Sequence, residues 1–179
     1  MTSGGVSRPS SRAGGTARRI SSTAPSSARA STRPAQKGGS DQALGRSRGG
    51  LSTKIHAVTD ARGRPVDLRL TGGQVSDLVP ALDLLEGEFG AAIVADRGYD
   101  SDRVVSLVEA QGSRAAIPPR SRRSGRREFD RDPYRLRHRI EFCSDRLKRH
   151  RRIATRHEKL AAHYLGMVQL ASALVSFEV

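Results

Sequence analysis

Hydrophobic and polar residues alternate from Leu51 to Thr59, with Leu51, Thr53, Ile55 and Ala57 on one side and Ser52, Lys54, His56 and Val58 on the other. A period of two marks a β-strand, and Pro65 to Leu70 resumes the extended pattern after the turn Asp60-Ala-Arg-Gly-Arg64, so the two runs predict a hairpin. Thr71-Gly72-Gly73 ends its second strand. Leu78, Ala81, Leu82 and Leu85 then follow helical spacing behind a capping Ser76 or Asp77, up to Gly90. Ala91 to Ala95 is a short apolar run of the kind found in buried strands. Ser101 or Asp102 opens another helix through Val104, Val105, Leu107 and Val108, closed by Gly112. Arg114 to Pro118 predicts a short strand stopped by Pro118-Pro119, and residues 120–133 form a loop dense in Arg and Ser. Helix formers without Gly or Pro run from Tyr134 to about Lys148. A second helix is expected from about His157 to Val175, with Leu160, Tyr164, Met167, Val168, Ala171 and Val175 on one face. A hairpin, a β-α-β unit and a helical end define a mixed α/β domain without internal repeats.

Composition divides the chain near Gly45. Residues 1–44 are rich in Ser, Arg, Ala, Gly, Thr and Pro, and Ile20 is the main large apolar exception. Such a segment buries too little surface to offset its chain entropy and is expected to be disordered, leaving 45–179 as the folded domain. It reads either as an unfolded extension or as a basic arm that searches along DNA. The formal net charge of +14 calls for a polyanionic partner, and nucleic acid is the commonest, because each cation placed near a phosphate releases counterions. No apolar run approaches the roughly 20 residues of a membrane-spanning helix. The basic N-terminus lacks the apolar core of a secretory signal. A single cysteine, Cys143, excludes an intramolecular disulfide framework and a cysteine-based zinc cluster. With aromatics at 4%, base-stacking platforms are also poorly supplied. The expectation from composition is a soluble intracellular protein.

Two carboxylates carry the candidate chemistry. Asp96 follows the predicted buried strand at its C-terminal end, where α/β sheets collect ligands and catalytic groups, and Gly98 permits a tight turn or close approach of a substrate backbone. Alternatively, Asp96 caps the next helix or pairs with Arg97. Tyr134, Arg137, Glu141 and Lys148 are spaced by three, four and seven residues, which places them near one helix face. That stripe suits a metal-holding acid flanked by cations that grip phosphate. It equally suits a solvated face laced with Arg–Glu pairs. Together, an Asp at a strand end and a later Glu in a basic domain match the needs of two-metal phosphoryl transfer, in which hard cations take oxygen ligands.

Asp96-Arg97-Gly98-Tyr99 resembles the motif around the second acid of DDE insertion-sequence transposases. The series Tyr134, Arg137, Glu141, Lys148 is similar to the Tyr-Arg-Glu-Lys signature of the insertion-sequence-four and -five superfamily. "GGSDQALGRSRGGLSTKIHAVTD", "TGGQVSD" and "RRIATRHEKLAAHYLGMVQLASAL" resemble the insertion-sequence-five group, over about Lys37 to Val179. This resemblance implies an RNase H-like catalytic domain and cleavage and strand transfer of double-stranded DNA at terminal repeats and target sites, with Mg²⁺ or Mn²⁺. It makes Asp96 and Glu141 the catalytic metal ligands and Tyr134, Arg137 and Lys148 the DNA-positioning residues. A homodimer on DNA is the assembly to expect.

The chain departs from that pattern in one respect. Family members supply a first catalytic Asp from a strand shortly before "GGSDQALGRSRGG", whereas "RRISSTAPSSARASTRPAQK" here has no acid and no strand pattern. A GC-rich gene read one frame out yields such a composition. The expectation is therefore an N-terminally truncated or frameshifted copy, an incomplete RNase H-like domain whose family sequence resumes near Lys37 and whose own catalytic activity is in question. Asp41 reads as a loop residue, Asp60 as a turn residue and Asp67 as a strand residue, none of them a replacement. A catalytically inactive DNA-binding remnant is the rival reading, and a basic RNA-binding protein is a third.

Overall fold

The computed structural model describes residues 17–23, 41–47, 50–87, 90–123 and 127–178. The expected hairpin is present as β3 (Gly50–Thr59) and β4 (Pro65–Gly72), paired from Thr53↔Gly72 to Thr59↔Pro65. Gly63 sits in its turn at a φ of 93°, a conformation that favours glycine. Asp60 holds the turn by accepting the N–H groups of Arg62 and Arg64.

A strand upstream of residue 45 corrects the sequence reading. β1 (Ala17–Thr23) lies at the centre of the sheet, antiparallel to β3 (Arg19↔Thr59 to Thr23↔Ile55) and parallel to β5 (Ala92–Ala95; Ala17↔Ala92 to Ile20↔Ala95). Its local sequence, Ala-Arg-Arg-Ile-Ser-Ser-Thr, is a weak strand former. The ladder partners on both sides select the extended state, because β-structure depends on context more than on intrinsic preference. A short β2 (Gly45–Ser47) pairs with the start of β3, and β6 (Arg114–Ala116) runs parallel to β5. The main sheet order is β4-β3-β1-β5-β6. Residues 41–44, expected to be disordered, form a turn in which Ala43 is buried and donates its N–H to Asp41. The rest of the segment expected to be disordered, 1–16 and 24–40, lies outside the described residues.

Helices cover the sheet on both faces. On one side α1 (Leu78–Leu85) and α2 (Asp102–Ala110) bury Leu84, Leu85, Val104, Val105 and Val108 against Val58, Ile93 and Ala95. Ser101 caps α2, its Oγ accepting the Val104 N–H. On the other side Ile55, Ala57 and Leu68 pack with Cys143 and Leu147 of α4 (His138–Arg149), Ile153 of α5 (Arg151–Ala154) and Tyr164, Val168, Ala171 and Val175 of α6 (Ala161–Phe177). The neighbours Ala57 and Val58 of β3 thus belong to different clusters, so both faces of the strand are covered at that end.

Two helix boundaries differ from the sequence reading. The helix expected from Tyr134 is built from α3 (Arg131–Tyr134), a 3-10 turn (Arg135–Arg137) and then α4. Pro133 is tolerated because it lies in the first turn of α3, where its missing N–H has no intrahelical acceptor. α6 starts at Ala161 rather than His157, since the buried Arg156 guanidinium takes the carbonyls of Glu158 and Lys159 and holds that connection out of helix.

Candidate active site

Asp96 leaves β5 with extended backbone (φ −69°, ψ 161°), just before a 3-10 turn over Arg97–Tyr99. Strand alternation explains where it points. Ile93 and Ala95 face α1 and α2, so Asp96 belongs to the opposite face, over which α4 lies. Its side chain forms no helix cap and pairs with Arg137 rather than Arg97, so both alternatives offered by the sequence are set aside. Gly98 has no positive φ, and a Cβ built there meets no protein atom within 4 Å. Neither the turn nor internal packing requires glycine, and the space above it is open to an incoming group.

α4 is anchored so that its first turn meets Asp96. Ile140, Cys143 and Leu147 are buried beneath it, and Arg139 donates to the Ala61 carbonyl in the hairpin turn at 2.6 Å. With that face committed, Arg137 and Glu141 lie toward the end of β5. One prong of the Arg137 guanidinium reaches Asp96 Oδ1 at 2.8 Å and the other reaches Glu141 Oε1 at 2.8 Å. The two carboxylates therefore share one guanidinium, although 45 positions separate them in sequence. Both side chains are about half exposed, at 49% and 53%, and open to a solvent-borne ligand. Burial works against the Arg137 charge, but Asp96, Glu141 and Tyr134 outweigh it and raise its pKa above the ordinary arginine value. The Tyr134 ring lies 5.9 Å from the guanidinium and is itself met edge-on by Phe129.

Asp96, Tyr134, Arg137 and Glu141 are thus brought together. Lys148 is exposed on the same helix, roughly 10 Å from Glu141 along the axis at 1.5 Å per residue, and stands apart from that cluster. The i,i+4 pair expected of an ordinary solvated stripe does exist between Arg137 and Glu141, but the same guanidinium also binds Asp96. Among the described residues no group of three or more His, Cys, Asp or Glu side chains is placed to hold a metal ion. Asp41, Asp60 and Asp67 are engaged in local turns and pairs with Ala43, Arg64 and Arg69. Asp96 and Glu141 offer oxygen donors of the kind that hard divalent cations take, and they are two carboxylates only. One residue past the last β1–β5 pair, Ser21 follows Ile20 on β1 as Asp96 follows Ala95 on β5. Sequence reasoning missed this neighbour, because the pairing of β1 with β5 has no local signature.

The site thus ties a strand-end acid to a helix acid on a basic α/β domain. The family model for the transposase DDE domain matches residues 21–176, and the chain belongs to that family. Over 127 residues it is 37% identical to a protein of Brucella ovis assigned as the transposase for insertion sequence element IS6501, covering 70% of this chain and 98% of the relative. A Burkholderia cepacia protein assigned likewise to element IS402 is 32% identical over 85 residues, covering 41% of this chain and 40% of that one. The family match begins upstream of Lys37, inside β1.

Proposed function

We propose that the chain acts on DNA phosphodiesters as an insertion-sequence transposase of the insertion-sequence-five group, with an RNase H-like domain and an acid set that is one member short. The observation that carries this reading is the Asp96–Arg137–Glu141 bridge, which joins two sequence-distant acids at the open end of the central parallel strands. The sheet order β4-β3-β1-β5-β6, antiparallel then parallel with helices on both faces, supports the fold assignment. Asp96 and Glu141 are the residues to hold a divalent cation, Mg²⁺ or Mn²⁺. When bound, such an ion offsets charge on the phosphoryl oxygens during in-line displacement.

The chain's own residues do the rest. Arg137 offsets about half of the charge of the two acids and holds them together. Were Asp96 and Glu141 to hold a cation, the Arg137 guanidinium would be available to a DNA phosphate. The Tyr134 face keeps the guanidinium near that position. Lys148, two turns further along α4, meets the DNA backbone at a second phosphate. Two copies on DNA are supported by the exposed Leu170, Leu174 and Phe177 on the outer side of α6.

Ser21, level with Asp96 on the neighbouring strand, is the backbone position from which a first acid would act. In a Mg²⁺-dependent assay on duplex DNA carrying the element ends, wild-type cleavage is expected to be slow. Ser21→Asp should raise it about 100-fold, the low end of the range for one positioned catalytic group. Asp96→Ala or Glu141→Ala in that background should abolish the gain. No gain from Ser21→Asp, with DNA binding retained, would favour a DNA-binding remnant. That second reading draws on the absence of a third ligand among the described residues.

A further inference from the structure

The loop after β6 is strongly basic and has no part in the bridge just described. Five of the eight residues from Arg120 to Arg127 are arginines, a density that would repel itself unless something organised it. The organiser is Asp100, whose side chain is only 1% exposed. Its carboxylate accepts the Arg120 backbone N–H at 2.7 Å, Arg123 Nη1 at 2.7 Å and Arg127 Nη2 at 3.3 Å. A buried carboxylate is costly unless it is paired and fully hydrogen-bonded, and here both ends of the loop meet that need. Arg123 also pairs with Asp102, and Arg127 donates to the Ile117 carbonyl at 2.6 Å. The Arg120 side chain crosses to the turn that follows Asp96, donating to the Gly98 carbonyl at 2.6 Å and the Arg97 carbonyl at 3.4 Å. The loop is therefore fastened to the backbone next to the candidate active site.

Positive charge remains after this fastening. Arg120 through its backbone, Arg123 and Arg127 converge on Asp100, and Asp102 takes only Arg123. Arg97 and Arg122 are exposed and have no carboxylate partner among the described residues. We propose that Asp100 is a positioning residue that holds this arginine loop as a grip for the DNA backbone on the Asp96 side of the site, with Arg122 and Arg97 as its phosphate contacts. The inference rests on the reading of the chain as a DNA-acting protein and adds contact residues beyond Tyr134, Arg137 and Lys148.

The test is equilibrium binding of the full chain to a fluorescent duplex of mixed sequence, without divalent metal, across a salt series. Arg122→Ala should weaken binding about three- to tenfold at low salt. It should also lower the slope of log K against log salt by about 0.9, the loss of one phosphate contact, with the unfolding midpoint unchanged. Asp100→Asn gives an outcome of decisive sign. Removing a negative charge from a DNA-binding surface strengthens binding if charge alone matters, whereas loss of a positioned loop weakens it and exposes residues 120–127 to faster tryptic cleavage. Weaker binding and faster cleavage are expected. Binding that is unchanged or tighter in Asp100→Asn, or unchanged in Arg122→Ala, overturns the proposal. Failure of the wild type to bind any duplex at low salt would instead remove the DNA-acting reading beneath it.

Discussion

Replacement of Arg156 by alanine should cost more stability than any comparable change on the surface. The residue is 3% exposed and has no carboxylate partner for its guanidinium among the described hydrogen bonds. Nε donates to the Glu158 carbonyl at 2.9 Å, Nη1 to Thr53 Oγ1 at 2.6 Å and the Ala43 carbonyl at 3.3 Å, and Nη2 to the Lys159 carbonyl at 3.2 Å. The guanidinium also lies 5.2 Å from the centre of the Tyr164 ring. Hydrogen bonds from a charged donor contribute roughly 1.5–3 kcal/mol each, but they are not additive. Thr53 and Ala43 keep their bond to one another, and the Lys159 carbonyl, on an exposed residue, can turn to water. Allowing for both, and for the cavity left under Tyr164, the loss should be about 3–5 kcal/mol. Arg156→Met, which keeps much of the packing, should lose about 2–3 kcal/mol. Urea unfolding followed by far-UV circular dichroism measures both. A loss below about 1 kcal/mol for Arg156→Ala would refute the view that this guanidinium ties the 41–53 segment to α6.

Two further outcomes follow from buried titratable groups. Burial lowers the pKa of His56 from 6.5 to about 4, Asp77 opposing and Lys54 assisting, while Nε2 bonds Thr71 Oγ1 at 2.8 Å. Between those values the unfolded chain binds a proton that the folded chain refuses. Stability should therefore fall as pH drops from about 6.5 to about 4, by about 3 kcal/mol in all, and then lose this dependence. His56→Gln should flatten that part of a stability–pH curve, and an unaltered slope would contradict the assignment. Burial also pushes the Cys143 thiol up to about 11, only partly offset by Arg146. A thiol reagent at neutral pH should leave it unmodified in the native protein and modify it quickly in urea, whereas rapid native labelling would contradict its burial.

The elements that were legible in the sequence are those whose signals are local. The β3–β4 hairpin was readable because Gly63 and Asp60 mark its turn, and α2 because Ser101 caps an apolar run. β1 was not legible, since its extended state comes from ladder partners 40 and 75 residues away, as in Arg19↔Thr59 and Ile20↔Ala95. Spacing placed Tyr134, Arg137 and Glu141 on one face, and the structure adds the contact that periodicity cannot express, Arg137 reaching Asp96 across the end of the sheet. Asp100 lies four residues after Asp96 in a motif that was read for Asp96 alone, and its role became visible only once the arginine loop was seen to converge on it. Arg156 was hidden for a similar reason. A single basic residue in a basic tail has no distinguishing pattern until its carbonyl partners are in place.

The central claim is that Asp96 and Glu141 act as one cation-binding site, which can be tested with Mn²⁺ alone by titration calorimetry on wild type, Asp96→Ala, Glu141→Ala and the double variant. A shared site predicts that each single substitution removes most of the binding and that the double variant loses little more, because ligands to one ion are not additive. Binding that survives both single substitutions, or losses that simply add, would contradict a site built from the two acids together.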